Sequence, residues 1–132
     1  MSIFTDAELH YLRSERRLGR LATVGPDGMP HVAPVGWRLD PDPDPDTIVI
    51  TGTDLAATKK YRDIANTGQA AIVIDDVPPP WQPRGIEIRG RAEAIDTPEP
   101  QIRIHPTRIV SWGLDGPRAA RTIPTTPTPP RT

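Results

Sequence analysis

Clusters of proline divide this chain into short segments, and they limit its fold more than any other feature of the sequence. The 132 residues include 18 prolines, which concentrate at 41–45, at 78–83 and from 117 onward. Proline fixes φ and has no amide donor, so these clusters mark loops. Residues 115–132 are almost entirely polar or proline, and we expect them to form a disordered tail after a single domain at 1–114.

The apolar segments between the clusters have the pattern of β-strands. In 85–95, isoleucine and alanine alternate with charged residues, which is typical of a strand with one buried face. Residues 18–24 and 30–38 flank a Gly-Pro-Asp-Gly turn and predict a hairpin. Pro34 belongs at an edge or bulge of the second strand, because it cannot donate to a ladder. Further strands are predicted at 47–51, 69–74, 101–105 and 108–112.

Two short helices accompany these strands. Thr5 and Glu8 have the spacing of a capping box, which predicts a helix reaching about residue 16. A second helix is predicted over 55–66, with Asp54 as its N-cap. About six antiparallel strands without a βαβ rhythm predict a mainly β fold, a β-barrel with flanking helices, and exclude a doubly wound nucleotide-binding fold.

The balance of charges argues against some classes of binding partner. With 16 basic and 17 acidic residues the net charge is −1, so no overall field favours nucleic acid or an anionic membrane. There is no cysteine, which excludes disulfides and thiolate sites. The N-terminus is acidic and no apolar run has the length of a membrane span. We therefore expect a cytoplasmic protein with no nucleic-acid or membrane partner.

Several kinds of chemistry have little support. No serine lies between the glycines of a nucleophile elbow, which disfavours a hydrolase. His31 and His105 lack the spacing of a metal site. The Asp-Pro repeat at 40–46 resembles a calcium loop, but it has no glycine at the sixth position, and a solvated loop is the better interpretation.

The stretch 51–62 is a candidate anion site. It runs from a strand end through a small polar turn into a helix start, where unpaired amides and the positive end of the dipole favour anions. Lys59 and Lys60 add charge there. Taken alone, the stretch is more typical of a capped surface helix with solvated lysines. A cofactor with a phosphate and a flat ring would place its phosphate here and its ring along 34–37 and the strand end at 50–53.

The ordered set of motifs resembles the pyridoxamine 5′-phosphate oxidase-like superfamily of split β-barrel flavoproteins, and within it the branch that uses the deazaflavin coenzyme F420. The resemblance covers about residues 4–114. The motifs that carry it are Leu18–Val24, Gly28–Gly36, Thr58–Asp63, Arg84–Arg91 and Ile104–Trp112.

The resemblance implies an oxidoreductase in which reduced F420 transfers a hydride to a small organic substrate, and a homodimer with the cofactor between the subunits. Thr58-Lys59-Lys60 matches the triplet that holds the flavin phosphate, and Arg38 matches a strand lysine with the same role. Ala33 stands where the oxidase has an arginine, which favours F420 over FMN. The alternatives are an FMN-binding flavoprotein of the oxidase type and a split barrel that binds a ligand without catalysis.

The predicted cofactor-binding residues are Pro34, Val35, Gly36, Trp37, Arg38, Thr51, Thr53, Thr58, Lys59, Lys60 and Arg62. Arg62, Arg84 or Arg89 would meet the acidic tail of F420. Trp37, Trp81 and Trp112 are candidate walls for the ring or the substrate. No catalytic side chain is predicted, because the cofactor carries the chemistry.

Overall fold

The computed structural model describes residues 2–42 and 44–124, and in that part of the chain it contains two helices, one 3-10 turn and eight strands. In chain order they are α1 Asp6–Ser14, β1 Gly19–Val24, β2 Pro30–Val35, β3 Arg38–Asp40, β4 Thr47–Ile50, the 3-10 turn Leu55–Ala57, α2 Lys59–Thr67, β5 Gln69–Asp76, β6 Arg84–Ile95, β7 Gln101–Trp112 and β8 Ala119–Thr122.

The strands form one antiparallel sheet that closes into a barrel. Their order is β2-β1-β5-β6-β7-β4-β3, and β8 pairs with the free part of β7. The two ends of this order, β2 and β3, are consecutive in the chain and are joined by only Gly36 and Trp37. The sheet therefore returns to its own start. The predicted mainly β barrel with flanking helices is confirmed, with eight strands rather than about six.

The core lies inside this barrel and is built largely from isoleucine. Alternate residues of a strand point to the same face, and the inward positions of β5, β6 and β7 are almost fully buried. They include Ile72, Ile74, Ile86, Ile88, Ile102 and Ile104. The strand predicted at 85–95 is confirmed as β6, with its isoleucines inside.

Two of the predicted strand boundaries were wrong. Residues 30–38 form two strands, because the chain leaves β1 after Val35 and pairs with β4 from Arg38 onward. The strands predicted at 101–105 and 108–112 are one strand, β7, which passes through Pro106. Pro106 lies opposite Gly90 at a register shift, and a bulge accommodates a residue that has no amide donor.

The predicted disordered tail was wrong for residues 115–124. Strand β8 lies within this segment and pairs with β7, and Ile123 is buried in the core. Arg121 donates hydrogen bonds from both terminal nitrogens to the carboxylate of Glu8, at 3.0 and 2.6 Å. Contacts with β7 and Glu8 thus hold this short segment in place, although it has few apolar residues of its own. The remainder of the predicted tail, 125–132, lies outside the described residues.

Helix α1 covers one end of the barrel, and its predicted capping box is confirmed. Thr5 Oγ1 accepts from the amide of Glu8 at 3.2 Å, and the amide of Thr5 donates to Glu8 Oε1 at 3.0 Å. Burial raises the pKa of Glu8, but hydrogen bonds from Arg121, Ser111 and Thr5 outweigh it and leave the pKa below its ordinary value. Glu8 therefore ties α1 to β7 and β8 as a carboxylate. Neither helix of the described segments is long and apolar enough to cross a membrane.

Candidate functional site

Helix α2 begins directly at the two lysines. Thr58 is its N-cap: the side-chain oxygen accepts from the amide of Tyr61 at 3.4 Å and donates to the carbonyl of Leu55 at 2.6 Å. Lys59 and Lys60 therefore occupy the first two helical positions. The unpaired amides of a first turn and two ammonium groups lie at the same place, which is a favourable arrangement for binding an anion.

The sequence prediction of this helix start was wrong in detail. Asp54 was predicted as the N-cap of a helix over 55–66, but it has a φ of 53° and its side chain caps nothing. A separate 3-10 turn follows it and ends at Thr58, so α2 starts four residues later than predicted. This shift moves the lysines from inside the helix to its N-terminus, where the amides are free.

A buried carboxylate one turn into α2 fixes Lys59. Asp63 is 3% exposed, and its two oxygens accept hydrogen bonds from Lys59 Nζ at 3.1 Å and from Thr23 Oγ1 at 2.9 Å. Burial raises the pKa of Asp63, but these hydrogen bonds outweigh it and leave the pKa below the ordinary value. Lys60, by contrast, has no carboxylate of the described residues within ion-pairing distance. Of the two lysines, Lys60 is therefore the one whose charge is available to bind a ligand.

His31 completes the surroundings of Asp63. It lies opposite Thr23 in the β1–β2 register, and its positive form would favour the carboxylate of Asp63. Its Nδ1 is buried without a hydrogen-bond partner among the described residues. No group of three or more histidines, aspartates or glutamates within those residues is placed to hold a metal ion.

A second part of the candidate site is a groove of about 620 Å³ between the end of α1 and the link from β2 to β3. Gly36, Trp37 and Arg38 of the predicted site line it, together with arginines of the segment that joins α1 to β1. Trp37 is held in place because its indole N–H donates to the carbonyl of Arg17 at 2.7 Å and its ring packs against the core. Trp37 therefore gives this groove a rigid wall.

Four other predicted residues, Pro34, Val35, Thr51 and Thr53, do not line the groove. Thr51 and Thr53 are exposed in the turn after β4, beyond the last β3–β4 pair, which is Arg38 with Val49. Pro34 is exposed on the outside of β2, an edge strand of the sheet order as expected, whereas Val35 faces the core. Of the predicted residues, the structure thus brings Gly36, Trp37 and Arg38 together in the groove.

The helix start of α2 lies away from that groove. Thr58, Lys59 and Lys60 are not part of the groove wall. Helix α2 instead contacts the far end of β1, where Thr67 Oγ1 donates to the carbonyl of Val24 at 2.8 Å. The groove adjoins the opposite end of β1, next to Leu18. The candidate site therefore extends along β1, with the lysines at one end and the groove at the other.

The arginines predicted to meet an acidic tail already have partners in the protein. Arg84 forms two hydrogen bonds with Asp76, at 2.7 and 3.0 Å. Arg89 donates to Glu87 at 2.8 Å, and Arg62 donates to the carbonyl of Ala57 at 2.8 Å.

Asp76 is the centre of a cluster behind the groove. It accepts hydrogen bonds from Arg84 and from the hydroxyl of Tyr11 at 2.8 Å, and Arg17 lies over the Tyr11 ring at 4.0 Å. The hydrogen bonds from Arg84 hold the pKa of Asp76 far below its usual range. Burial, and then the bond to Asp76, raise the pKa of Tyr11 above its ordinary value. The cluster fixes Arg17, whose backbone in turn holds Trp37.

The other two tryptophans do not line the groove. Trp81 is 75% exposed in its proline-rich loop, and Trp112 packs beside Gly85. Sequence reasoning missed Asp63, Thr23 and the arginines near the end of α1. The four-residue spacing of Lys59 and Asp63 could have indicated Asp63, because residues four apart lie on the same face of a helix. The three arginines within 13–17 could have indicated the arginines near the end of α1.

Comparisons with known proteins agree with this architecture. The family model described as "Pyridoxamine 5'-phosphate oxidase" matches residues 5–121. A 5a,11a-dehydrotetracycline/5a,11a-dehydrooxytetracycline reductase of Streptomyces rimosus is 42% identical over 124 residues, covering 86% of this chain and 85% of the relative.

Solved structures share the fold at low identity. A heme binding protein from Mycobacterium smegmatis has a TM-score of 0.68 at 17% identity, covering 88% of this chain and 57% of that one. A structure described as an F420 reductase has a TM-score of 0.58 at 24% identity, covering 76% of this chain and 94% of that one. The family match and the 42% identical relative both support an oxidoreductase. Because the family model matches most of its length, the chain belongs to the pyridoxamine 5′-phosphate oxidase family.

Proposed function

We propose that this protein is a reductase that binds coenzyme F420 and uses its reduced form to reduce an electron-poor double bond of a small organic substrate. The observation that carries the proposal is the start of α2, where Lys59 and Lys60 are the first two helical residues and Lys60 has no carboxylate partner among the described residues. The reductase of a dehydrotetracycline at 42% identity and the F420 reductase among the structural neighbours support the same reaction class.

The residues present fit a cofactor with a phosphate. Lys60 and the amides of Lys59 and Lys60 would hold the phosphate, since the side chain of Thr58 caps only the later amide of Tyr61. Asp63 would orient Lys59 and neutralise its charge. The two lysines and Asp63 together would then present one net positive charge to the phosphate. Gly36 and the rigid Trp37 would position the ring end and exclude water there.

The chemistry itself belongs to the cofactor. When bound, reduced F420 supplies a hydride from ring carbon C5. One carbon of the substrate double bond gains this hydride and the other gains a proton from water, so the substrate gains two hydrogens while the cofactor is oxidised. The protein positions the two reacting carbons next to each other and excludes water from the surface around them.

The proposal is tested by titrating the protein with F420 and, separately, with FMN, following fluorescence at moderate salt. We expect F420 to bind, and the double variant Lys59→Ala, Lys60→Ala to lose roughly tenfold or more in affinity. Arg118→Ala is the control, because it removes an exposed cation far from α2 in sequence.

Three outcomes would contradict the proposal. Unchanged F420 affinity in the double variant would remove α2 as the phosphate anchor. Tight FMN binding without F420 binding would favour the oxidase-type flavoprotein. Stoichiometric F420 binding with no oxidation of its reduced form by enones, quinones or tetrapyrroles would favour a binding protein without turnover.

A homodimer is the assembly we propose for this enzyme. The outer face of β1, β2 and β5 carries an apolar patch in which Val32 is 66% exposed and Met29 is also exposed. Beside them Ala22, Ala71 and Val73 line a shallow cavity of about 290 Å³. A second copy of the chain would cover this patch, and exposed apolar surface of this kind is typical of an interface.

A further inference from the structure

The groove at the end of α1 is lined by four arginines and one carboxylate, Glu15, which lies 3.7 Å from Arg17, so positive charge is in excess there. Arg13 and Arg16 line it and are exposed, and within residues 2–42 and 44–124 no carboxylate forms an ion pair with either. Arg38 is also exposed, and its nearest carboxylate oxygen, on Asp40, is 3.7 Å away. The net charge of the whole chain is −1, so this excess is local.

The same groove also presents apolar surface. Leu18 is 59% exposed at its edge, and Leu39 and Trp37 form part of its wall. Guanidinium groups are planar and weakly hydrated, and they bind the oxygens of carboxylates and similar anions in pairs. Three such groups beside leucine side chains favour a ligand that is flat, largely apolar and negatively charged at one edge.

The position of the groove separates it from the phosphate anchor. Strand β1 has six residues, which span about 20 Å. Helix α2 contacts the end of β1 at Thr23 and Val24, and the groove adjoins the end at Gly19. In F420 the phosphate and the acidic tail lie on the same side of the ring. A phosphate at α2 would leave the groove, at the other end of β1, to the ring end of the cofactor and its substrate.

We propose that this groove binds the substrate of the reductase, and that the substrate is a flat molecule with an acidic oxygen, such as an enolate, a phenolate or a carboxylate. This inference rests on the proposed function and adds the substrate class to it. Arg13, Arg16 and Arg38 bind the anionic edge, and Leu18 and Leu39 contact the apolar face. The negative edge then orients the electron-poor double bond toward the ring end of the cofactor.

The test compares two quinones that differ in charge. 2-Hydroxy-1,4-naphthoquinone is a vinylogous acid and therefore an anion at neutral pH, and its methyl ether is neutral with nearly the same shape. The double variant Arg13→Gln, Arg16→Gln is compared with the wild type and with the control Arg118→Gln for KM, kcat and F420 affinity. Because both arginines are exposed, we expect the variant to fold, and thermal unfolding checks this.

We expect the KM for the anion to rise roughly tenfold, while kcat, the KM for the ether and the F420 affinity stay unchanged. Added salt should raise the wild-type KM for the anion and have less effect on the variant. An unchanged KM for the anion would overturn the proposal. Equal losses for both quinones together with weaker F420 binding would overturn it too, and would assign the groove to the cofactor tail.

If the proposed function is wrong, the groove is tested separately as an anion site. If the wild type neither binds nor oxidises reduced F420, the same two quinones are titrated against the protein alone, following quenching of tryptophan fluorescence. Tighter binding of the anion that is lost in the double variant would still support the groove as an anion site. Equal binding of the two quinones would reject it.

Discussion

Lys59 and Lys60 are adjacent in the sequence but have different surroundings. Lys59 is bonded to the buried carboxylate of Asp63, which is itself held by Thr23. Lys60 has no such partner among the described residues. The pair was predicted as one anion site, and the structure separates a charge that is already neutralised from one that is available. The first serves the fold at least as much as it serves a ligand.

The two lysines are therefore expected to respond differently to mutation. Lys60→Ala should weaken F420 binding and leave thermal stability nearly unchanged, because nothing in the described protein depends on its charge. Lys59→Ala should lower the unfolding temperature, because Asp63 loses a hydrogen-bonded counter-charge in a buried place. Calorimetry and cofactor titration of each single variant measure both effects. Equal losses of affinity with unchanged stability in both variants would contradict this division.

Asp76 gives a pH dependence whose sign follows from its depressed pKa. A carboxylate with a lower pKa in the folded than in the unfolded state stabilises the fold above its unfolded pKa, and this contribution is lost as the pH falls towards the folded value. Asp76→Asn should cost about 1–2 kcal/mol at pH 7, since Arg84 and Tyr11 lose a charged partner. The difference from wild type should narrow as the pH falls below about 4.

Urea unfolding of both proteins at several pH values measures this difference. Asp75→Asn is the control, because its partner Arg20 forms an exposed pair and such pairs contribute less than about 1 kcal/mol. A difference between wild type and Asp76→Asn that stays constant from pH 7 to acid would contradict the assigned cause.

At the scale of elements, the sequence correctly predicted those features that depend on residues close together in the chain. The capping box of α1 and the alternation of β6 are of this kind, and both are confirmed. Strand β8 was missed because its own residues have little β-pattern and its stability comes from β7 and from Glu8, which is distant in sequence. The start of α2 was misplaced because a 3-10 turn and a helix have the same apolar spacing over three residues.

The bulge in the β6–β7 hairpin depends on a glycine. A Cβ at Gly90 would overlap the carbonyl oxygen of His105, at the point where β7 passes through Pro106. We expect Gly90→Ala to destabilise the protein by about 3 kcal/mol, because backbone on both strands must move. Gly52→Ala is a matched control, since a Cβ there has open space. It should change stability by less than about 0.5 kcal/mol. Urea unfolding of both variants measures the difference, and a Gly90→Ala variant as stable as the control would contradict the close approach.

At the scale of the whole molecule, the fold class could be predicted and the arrangement of the site could be predicted only in part. Strand patterns and the absence of a βαβ rhythm indicated a barrel. They could not show that β2 and β3 lie at opposite ends of the sheet order, because that follows from the pairing of β4 with β7. For the same reason the sequence could assign the phosphate to the lysines and the ring to 34–37, but it could not show that the lysines and the groove lie at opposite ends of β1.

Dimerisation through the outer apolar patch is a prediction at this scale. Val32→Arg places a charge in the centre of the patch and should convert the proposed dimer to a monomer, because an uncompensated charge is costly to bury. Val77→Arg is the control, since Val77 is also exposed but lies in the loop after β5. Sedimentation velocity distinguishes the two. A wild-type chain that sediments as a monomer, or a Val32→Arg variant that stays dimeric, would contradict the proposed interface.

The joining of β2 to β3 by two residues also sets the order in which the chain can fold. Strand β3 reaches its place only through β4, and β4 pairs with β7, where Ile48 meets Ile104. The hairpin of β6 and β7 must therefore exist before the N-terminal strands can complete the ring. Contacts so distant in sequence make folding slow. On the ribosome, a chain that has emerged only as far as β5 has both edges of its sheet open, so closure of the barrel is an event that follows synthesis of β7.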